Sequence, residues 1–99
     1  MKRKATAAEK RHLARIAAMP CIVCEKVFHI YEPRVQVHHV RVKTGWGRDG
    51  HMNTIPLCME HHTGKTGVHS VSREIFEHMY GFSEIGFLEI VKQRIGNES

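Results

Sequence analysis

The sequence has no long apolar run. Among its 99 residues, no segment approaches the roughly 20 consecutive apolar residues that a membrane-spanning helix needs. No apolar run follows the basic residues at positions 2–4, so we see no core of a signal peptide. We therefore expect a cytoplasmic protein that has no membrane partner.

Cysteine is also scarce. The three cysteines, Cys21, Cys24 and Cys58, are an odd number, which argues against the disulfide framework of a small secreted protein. In a reducing cytoplasm, binding a metal as thiolates is the more natural use of such residues.

The chain has no internal repeats and no low-complexity segment beyond its basic start. Its length allows a single domain, residues 1–99, with a flexible basic tail at 1–5. A domain of this size buries only about two-thirds of the surface that its unfolded chain exposes. We therefore expect the small core to need a further cross-link.

Acidic residues are fewer than basic ones, 10 against 15, so the formal net charge is +5. Such an excess favours a polyanionic partner. Histidine, by contrast, is abundant, and seven of the nine histidines follow Tyr31. This clustering indicates a chemical role for them.

Capping signals predict three helices. The first runs from the capping box of Thr6 and Glu9 to about Ala18. The other two lie near the C-terminus, one from Ser70 or Ser72 to Tyr80 and one from Ser83 to the residue before Gly96.

Between the helices, two segments are predicted to pair as antiparallel strands, Val27–Ile30 and Arg34–Val40. A loop over 41–52 follows, and then the short extended segment Thr54–Leu57, which Pro56 restricts to an edge or a bend. The predicted fold class is therefore α+β, with an N-terminal helix, a zinc-bearing β-hairpin, a long loop and two C-terminal helices.

The pairs Cys21-x-x-Cys24 and Cys58-x-x-His61 have the spacing of two zinc knuckles. Together they offer four ligands for a structural Zn²⁺, whose binding energy would count as folding energy. Two alternatives are buried free cysteines with incidental spacing and a redox pair formed by Cys21 and Cys24.

Once Cys58 and His61 are assigned to zinc, two His-His pairs and an asparagine remain to be explained. His38-His39 ends a predicted strand, Asn53 stands five residues before Cys58, and His62 directly follows the second knuckle. In this pattern the chain resembles the HNH endonucleases, the ββα-metal or His-Me finger superfamily. With Phe-x-x-x-Tyr-Gly at 76–81, residues 20–81 are similar to phage-borne recombination-enhancing (Ref-like) nucleases, which implies the cytoplasm of a bacterial host.

The resemblance implies a small ββα-metal domain and a role for each motif residue. His38 and His62 are implied as ligands of a catalytic divalent ion, His39 as the general base, and Asn53 as the residue that orients this base and its loop. Adjacent strand residues point to opposite faces. His38 and His39 can therefore share a site only if the strand ends or twists there.

The third ligand departs from the family pattern. Many members place it four residues after the second ligand, but here Lys65-Thr66-Gly67 intervenes. We expect His69 to take this place in preference to His78, which falls deep in a predicted helix.

These residue types suit the hydrolysis of a phosphodiester, which needs an activated water and stabilisation of phosphoryl charge. A histidine that is not a ligand can take the proton of that water, a role worth about 10²–10⁴-fold in rate. We expect Mg²⁺ or Mn²⁺ as the catalytic ion, and a site made only of histidine also suits Zn²⁺ or Ni²⁺.

The substrate is expected to meet basic residues through its phosphates, in a largely sequence-independent way. The candidates are Arg41, Lys43, Arg48 and Lys65, with the basic tail. Trp46 is either a core plug for its loop or a platform that stacks on an unpaired base.

The function predicted from the sequence is a metal-dependent endonuclease for double- or single-stranded DNA, with a recombination-protein filament as a further partner. Two alternatives stay open. One is a non-catalytic, zinc-stabilised module that binds nucleic acid or a recombination protein. The other is a nuclease that acts on RNA.

Overall fold

The structure, a computed structural model, describes residues 4–42 and 50–98. The predicted phosphate contacts Lys43 and Arg48, together with Trp46 and residues 1–3 of the tail, lie outside these ranges. In chain order the elements are α1 (Ala7–Ala17), α2 (Ile22–Phe28), β1 (Gln36–His39), a 3-10 turn (Gly50–Met52), β2 (Thr54–Leu57), α3 (Met59–His62), α4 (Arg73–Tyr80) and α5 (Glu84–Glu98). The predicted α+β class is confirmed.

Helix α1 begins at the predicted capping box. The amide of Glu9 donates to Thr6 Oγ1 at 3.1 Å, and the amide of Thr6 donates to Glu9 Oε1 at 2.8 Å. These bonds satisfy amides that the first helical turn leaves without partners. The helix ends at Ala17, within one residue of the predicted end.

The first predicted strand, Val27–Ile30, is wrong, because Val27 and Phe28 belong to helix α2 and no strand follows them at 29–30. The sulfur of Cys21 accepts the amide of Cys24 at 3.5 Å and caps the helix. His29 ends it in the left-handed conformation, with φ of 57°. β-branched and aromatic residues favoured a strand here, but the buried packing of the first turn decides the conformation.

The partner of β1 is instead β2, the segment that was predicted only as extended. The two strands are antiparallel, with His38 opposite Ile55 and His39 opposite Thr54. Pro56 lies opposite Val37, and it is tolerated because a strand of a two-stranded sheet has one edge without a partner. The hairpin is therefore closed by the long loop.

The two C-terminal helices follow the predicted caps. Ser72 Oγ accepts the amide of Ile75 at 3.1 Å, and Ser83 Oγ accepts the amide of Gly86 at 3.0 Å. Gly81 ends α4 with φ of 79°, a conformation that glycine adopts without strain. Helix α5 continues to Glu98, past the predicted end before Gly96.

The core lies between the sheet and the helices. Its largest fully buried side chains come from α1, α2, the sheet, α4 and α5: Ile16, Ile22, Val23, Ile55, Leu57, Phe76, Phe87 and Val91. Among the described residues, no helix is long and apolar enough to cross a membrane.

One ion pair joins elements that are distant in sequence. The two terminal nitrogens of Arg94 on α5, Nη1 and Nη2, each donate to one carboxylate oxygen of Glu25 on α2 at 2.8 Å. This bidentate bond lowers the pKa of Glu25 and holds α5 against the helix that carries Cys24.

We predict that Arg94→Ala lowers the free energy of unfolding by about 1 kcal/mol, since a partly buried bidentate pair exceeds the usual surface pair. Because the pKa of Glu25 is lowered, this stabilisation is present above the ordinary pKa of glutamate and is lost as the pH falls through the lowered value. Urea denaturation at neutral and acid pH measures both effects.

Arg34→Ala is the matched control. Arg34 also bonds a carboxylate, that of Glu32, but the two residues are neighbours in sequence and the arginine side chain is 90% exposed. No measurable loss of stability is expected for this variant. Equal losses from the two variants would show that the Glu25–Arg94 pair has no special role.

Candidate metal centres

Three cysteines and one histidine meet inside the core. Cys21 caps α2 and Cys24 lies in its first turn, while Cys58 precedes α3 and His61 lies within it. All four residues are buried, and their candidate ligand atoms lie within 4.8 Å of one another. The predicted pairing of the two knuckles is therefore present in the fold.

The distances within this Cys3His cluster suit zinc. Tetrahedral Zn²⁺ separates two sulfurs by about 3.8 Å and a sulfur from a nitrogen by about 3.6 Å. Here Cys24 Sγ lies 3.8 Å from Cys58 Sγ. His61 Nδ1 lies 3.7, 3.5 and 3.2 Å from the sulfurs of Cys21, Cys24 and Cys58.

The electrostatics of the cluster also call for a cation. Burial raises the pKa of Cys21 and of Cys24, so adjacent thiolates are unfavourable here unless a positive charge neutralises them. Burial lowers the pKa of His61, which favours the neutral imidazole that binds metals.

Aromatic contacts fix the His61 ring. Phe28 stacks on it, with 5.7 Å between ring centroids and 9° between planes, and Tyr80 meets it edge-on at 5.3 Å. The hydroxyl of Tyr80 donates to the carbonyl of Thr66 at 2.8 Å. The imidazole therefore has little freedom to turn away from the three sulfurs.

A second cluster contains only histidines. The candidate ligand atoms of His38, His62 and His69 lie within 4.8 Å of one another, and the ring centroid of His38 is 5.1 Å from those of both others. The Nε2 atoms of His62 and His69 are 3.0 Å apart, and neighbouring ligands of an octahedral ion are separated by about 3.0 Å. His78 is exposed on α4 and is not in this cluster.

Tight folding of the loop after α3 places His69. The amide of His69 donates to the carbonyl of His62 at 3.1 Å, and the amide of Val68 donates to that of His61 at 3.0 Å. At Gly67 a Cβ atom would lie 2.7 Å from the carbonyl of His62, so only glycine fits. The loop thus returns to α3, which explains why the third histidine stands seven residues after the second and not four.

The side chain of Gln36 orients His62. Gln36 and His38 are two residues apart on β1 and share a face of the sheet. Gln36 Oε1 lies 2.6 Å from His62 Nδ1 and must accept its proton, which leaves Nε2 of His62 with a free lone pair. Burial, followed by the neighbouring His38 and His69, lowers the pKa of His62.

His39 is exposed and pairs with a histidine that the motif analysis did not single out. Its Nε2 lies 3.0 Å from Nδ1 of His51, in the 3-10 turn. Partial desolvation of its ring against the protein lowers the pKa of His39, as do the nearby His51 and His38. The ring is therefore held mainly in its neutral form near pH 7.

Asn53 is buried directly after the 3-10 turn that carries His51. Among the described residues it makes its hydrogen bonds through its backbone: its carbonyl accepts the amide of Val40 at 2.8 Å, and its amide donates to the carbonyl of Gly50 at 3.2 Å. Asn53 therefore ties the end of the loop to the residue after His39, while the ring of His39 contacts His51.

Glu84 is a further group at the histidine cluster that the sequence analysis missed. Its Oε1 lies 2.7 Å from Nε2 of His38, and both side chains are largely buried, 17% and 7% exposed. The bond to His38 is the main cause of the lowered pKa of Glu84. In the sequence, Glu84 has only the signature of an acidic residue in the first turn of a helix.

The two described candidates for phosphate contacts lie on the surface. Lys65 is exposed in the loop after α3, and Arg41 is exposed just after β1. Arg41 lines a groove of about 170 Å³ together with Arg73 and Glu84. Glu74 and Glu77 line the same groove, and Glu84 connects it to the histidine cluster through its bond to His38.

A family model described as "Recombination enhancement, RecA-dependent nuclease" matches residues 5–99. A comparison with the curated proteins gave no match.

We predict that Cys58→Ser removes one equivalent of bound zinc and abolishes cooperative unfolding. Zinc binding supplies on the order of 10 kcal/mol in zinc-finger peptides, comparable to the whole stability of a small domain. Elemental analysis and thermal denaturation measure the two effects. Met59→Ser, at the adjacent exposed position, is the control that should keep both zinc and stability. Unchanged zinc content in Cys58→Ser would remove the structural zinc from the account.

Proposed function

The chain belongs to the family of RecA-dependent nucleases of recombination enhancement, and from this premise we propose that it is an HNH-type DNA endonuclease. It would hydrolyse phosphodiester bonds with a divalent ion at His38, His62 and His69. His39 would act as the general base. The alternatives, a zinc-stabilised binding module and a nuclease directed at RNA, remain outcomes of the tests below.

The observation that carries the proposal is the separation of two sets of ligands. The cysteines and His61 form a buried cluster, whereas the second cluster runs from buried His38 through half-buried His62 to exposed His69. A buried cluster suits a structural ion, and a partly exposed one leaves room for a phosphate. When bound, a divalent ion at the second cluster supplies charge stabilisation for the phosphoryl oxygens and the leaving oxygen.

The proposed role of His39 as general base depends on its tautomer. Its Nε2 faces Nδ1 of His51. If Nε2 carries the proton and donates it to His51, then Nδ1 of His39 keeps a free lone pair and can take a proton from the attacking water. His51 would hold the ring and its tautomer, as the orienting member of a catalytic pair does.

We propose that Asn53 holds the loop segment that carries His51 next to the end of β1, where His39 stands. Its backbone joins Gly50, at the start of the 3-10 turn that carries His51, to Val40, directly after His39. Both histidines of the pair are therefore fixed to the same short segment. This gives Asn53 the loop-orienting part of the role that the family resemblance implies.

The DNA backbone would cross the exposed side of the histidine cluster. Arg41 and Arg73 line the groove that also contains Glu74, Glu77 and Glu84, and Lys65 lies on the loop that carries His69. Lys43 and Arg48 remain predicted contacts. Phosphate contacts of this kind make binding insensitive to sequence and strongly dependent on salt.

The dependence on RecA in the family description points to DNA held in a RecA filament as the substrate. We propose that such a filament presents the strand to the histidine cluster.

Cleavage of plasmid and of single-stranded DNA, each with and without RecA and with Mg²⁺ or Mn²⁺, tests the proposed activity and its dependence on the filament. Cleavage that requires a divalent ion and stops in EDTA supports an enzyme, while tight binding without cleavage supports the binding module, and cleavage of RNA alone supports the third alternative.

We predict that His39→Ala reduces the cleavage rate by about 10²–10⁴-fold, the usual contribution of a general base. The variant should retain zinc, thermal stability and DNA binding, because His39 is exposed and its ring bonds only to His51 among the described residues. His78→Ala, an exposed histidine on α4, serves as the control. Undiminished cleavage by His39→Ala would exclude its role as the base.

We further predict that His51→Ala lowers kcat about tenfold or more while leaving KM little changed, since loss of a group that orients a functional imidazole costs about 10–100-fold in comparable sites. Steady-state cleavage of a labelled oligonucleotide in the RecA filament separates the two constants. His51→Asn should recover part of the rate, because its side-chain oxygen can accept the proton of His39. A change confined to KM would show that His51 contacts the substrate instead.

A further inference from the structure

We propose that Glu84 is a positioning residue of the catalytic centre: it holds the imidazole of His38 so that the other ring nitrogen faces the ion. This inference rests on the proposed function of the histidine cluster. It adds to that cluster a carboxylate from α5, 46 residues away in sequence.

The contact between Glu84 and His38 fixes both the ring and its tautomer. Glu84 Oε1 lies 2.7 Å from Nε2 of His38. A carboxylate only accepts, so Nε2 must donate its proton, and the lone pair is left on Nδ1. Histidines that bind metals commonly donate their second nitrogen to a carboxylate in this way, which fixes ring orientation and strengthens the ligand.

The carboxylate is itself held in place. Ser83 caps α5 through the amide of Gly86, which fixes the first turn where Glu84 stands. The second oxygen, Oε2, lies 4.0 Å from Nε of Arg73 on α4. Placed in the first turn of α5 and in contact with α4 and β1, the 17% exposed Glu84 presents Oε1 to His38 with little freedom to move.

A purely structural interpretation is that Glu84 and His38 form an ion pair that joins α5 to β1. That role predicts a loss of stability when Glu84 is replaced and no effect on metal affinity at the histidines. The positioning role predicts a loss of metal affinity. The two are separated by a binding measurement that does not depend on cleavage.

The experiment is a calorimetric titration of Co²⁺ or Mn²⁺ into protein that already holds one equivalent of zinc. Glu84→Ala should bind the added ion about 10–100-fold more weakly than the wild type. Glu84→Gln, whose side-chain oxygen still accepts from Nε2, should lose less affinity. Glu77→Ala is the control, because this exposed glutamate on α4 lines the same groove, and it should bind as the wild type does.

Visible absorption of the Co²⁺ protein tests the mode of action. The same spectrum in wild type and Glu84→Gln is expected if Glu84 acts through His38, whereas a changed spectrum would place its oxygen on the ion and overturn the positioning role. Unchanged affinity in Glu84→Ala would overturn the inference and leave the proposed function standing. A wild type that takes up no second ion would overturn both.

Discussion

The buried cluster of Cys21, Cys24, Cys58 and His61 is the constraint on which the rest of the structure depends. It joins the start of α2 to α3, a helix of four residues, and a helix this short has no stability of its own in water. Zinc at this cluster would hold α3 through Cys58, which precedes the helix, and His61, which lies within it. The loop that folds back on α3 at Gly67 would be held with it. His62 and His69 stand on that helix and that loop. The positions of His62 and His69 therefore depend on the buried cluster that fixes α3.

In each of the two His-His pairs, the geometry of the helix or strand places the two side chains in different surroundings. Successive residues of a helix are turned by about 100°, so His61 faces the sulfurs in the core while His62 faces β1. Successive residues of a strand point to opposite faces, so His38 is buried against α5 and His39 is exposed toward the 3-10 turn. In the proposed function, one His-His pair would supply a structural and a catalytic ligand, and the other would supply a catalytic ligand and the base.

Local signals in the sequence predicted what depends on a few neighbouring residues. The caps at Thr6, Ser72 and Ser83, and the spacing of the two zinc knuckles, all appear in the fold. The failures concern packing between distant segments. The end of helix α2, Val27 and Phe28, was predicted as part of a strand because its local β propensity takes no account of the core that fixes the helix. The partner of β1 came from beyond a long loop. Glu84, His51 and Gln36 carry no motif, since each matters only through the histidine that the fold brings to it.

The acceptors around the histidine cluster set its charge as well as its shape. Gln36 is neutral and Glu84 is anionic, so three imidazoles and one carboxylate would leave a bound divalent ion with a net positive charge. Arg73 lies 4.0 Å from the far oxygen of Glu84 and offsets part of the charge of that carboxylate. Had carboxylates stood in place of the imidazoles, they would have neutralised the ion and repelled a phosphodiester. In the histidine site, Glu84 would bond His38 and not the ion, so it would fix the ligand without neutralising the ion. The ion would then keep its attraction for phosphate. This is a physical reason for a nuclease to use imidazole where other metal sites use carboxylate.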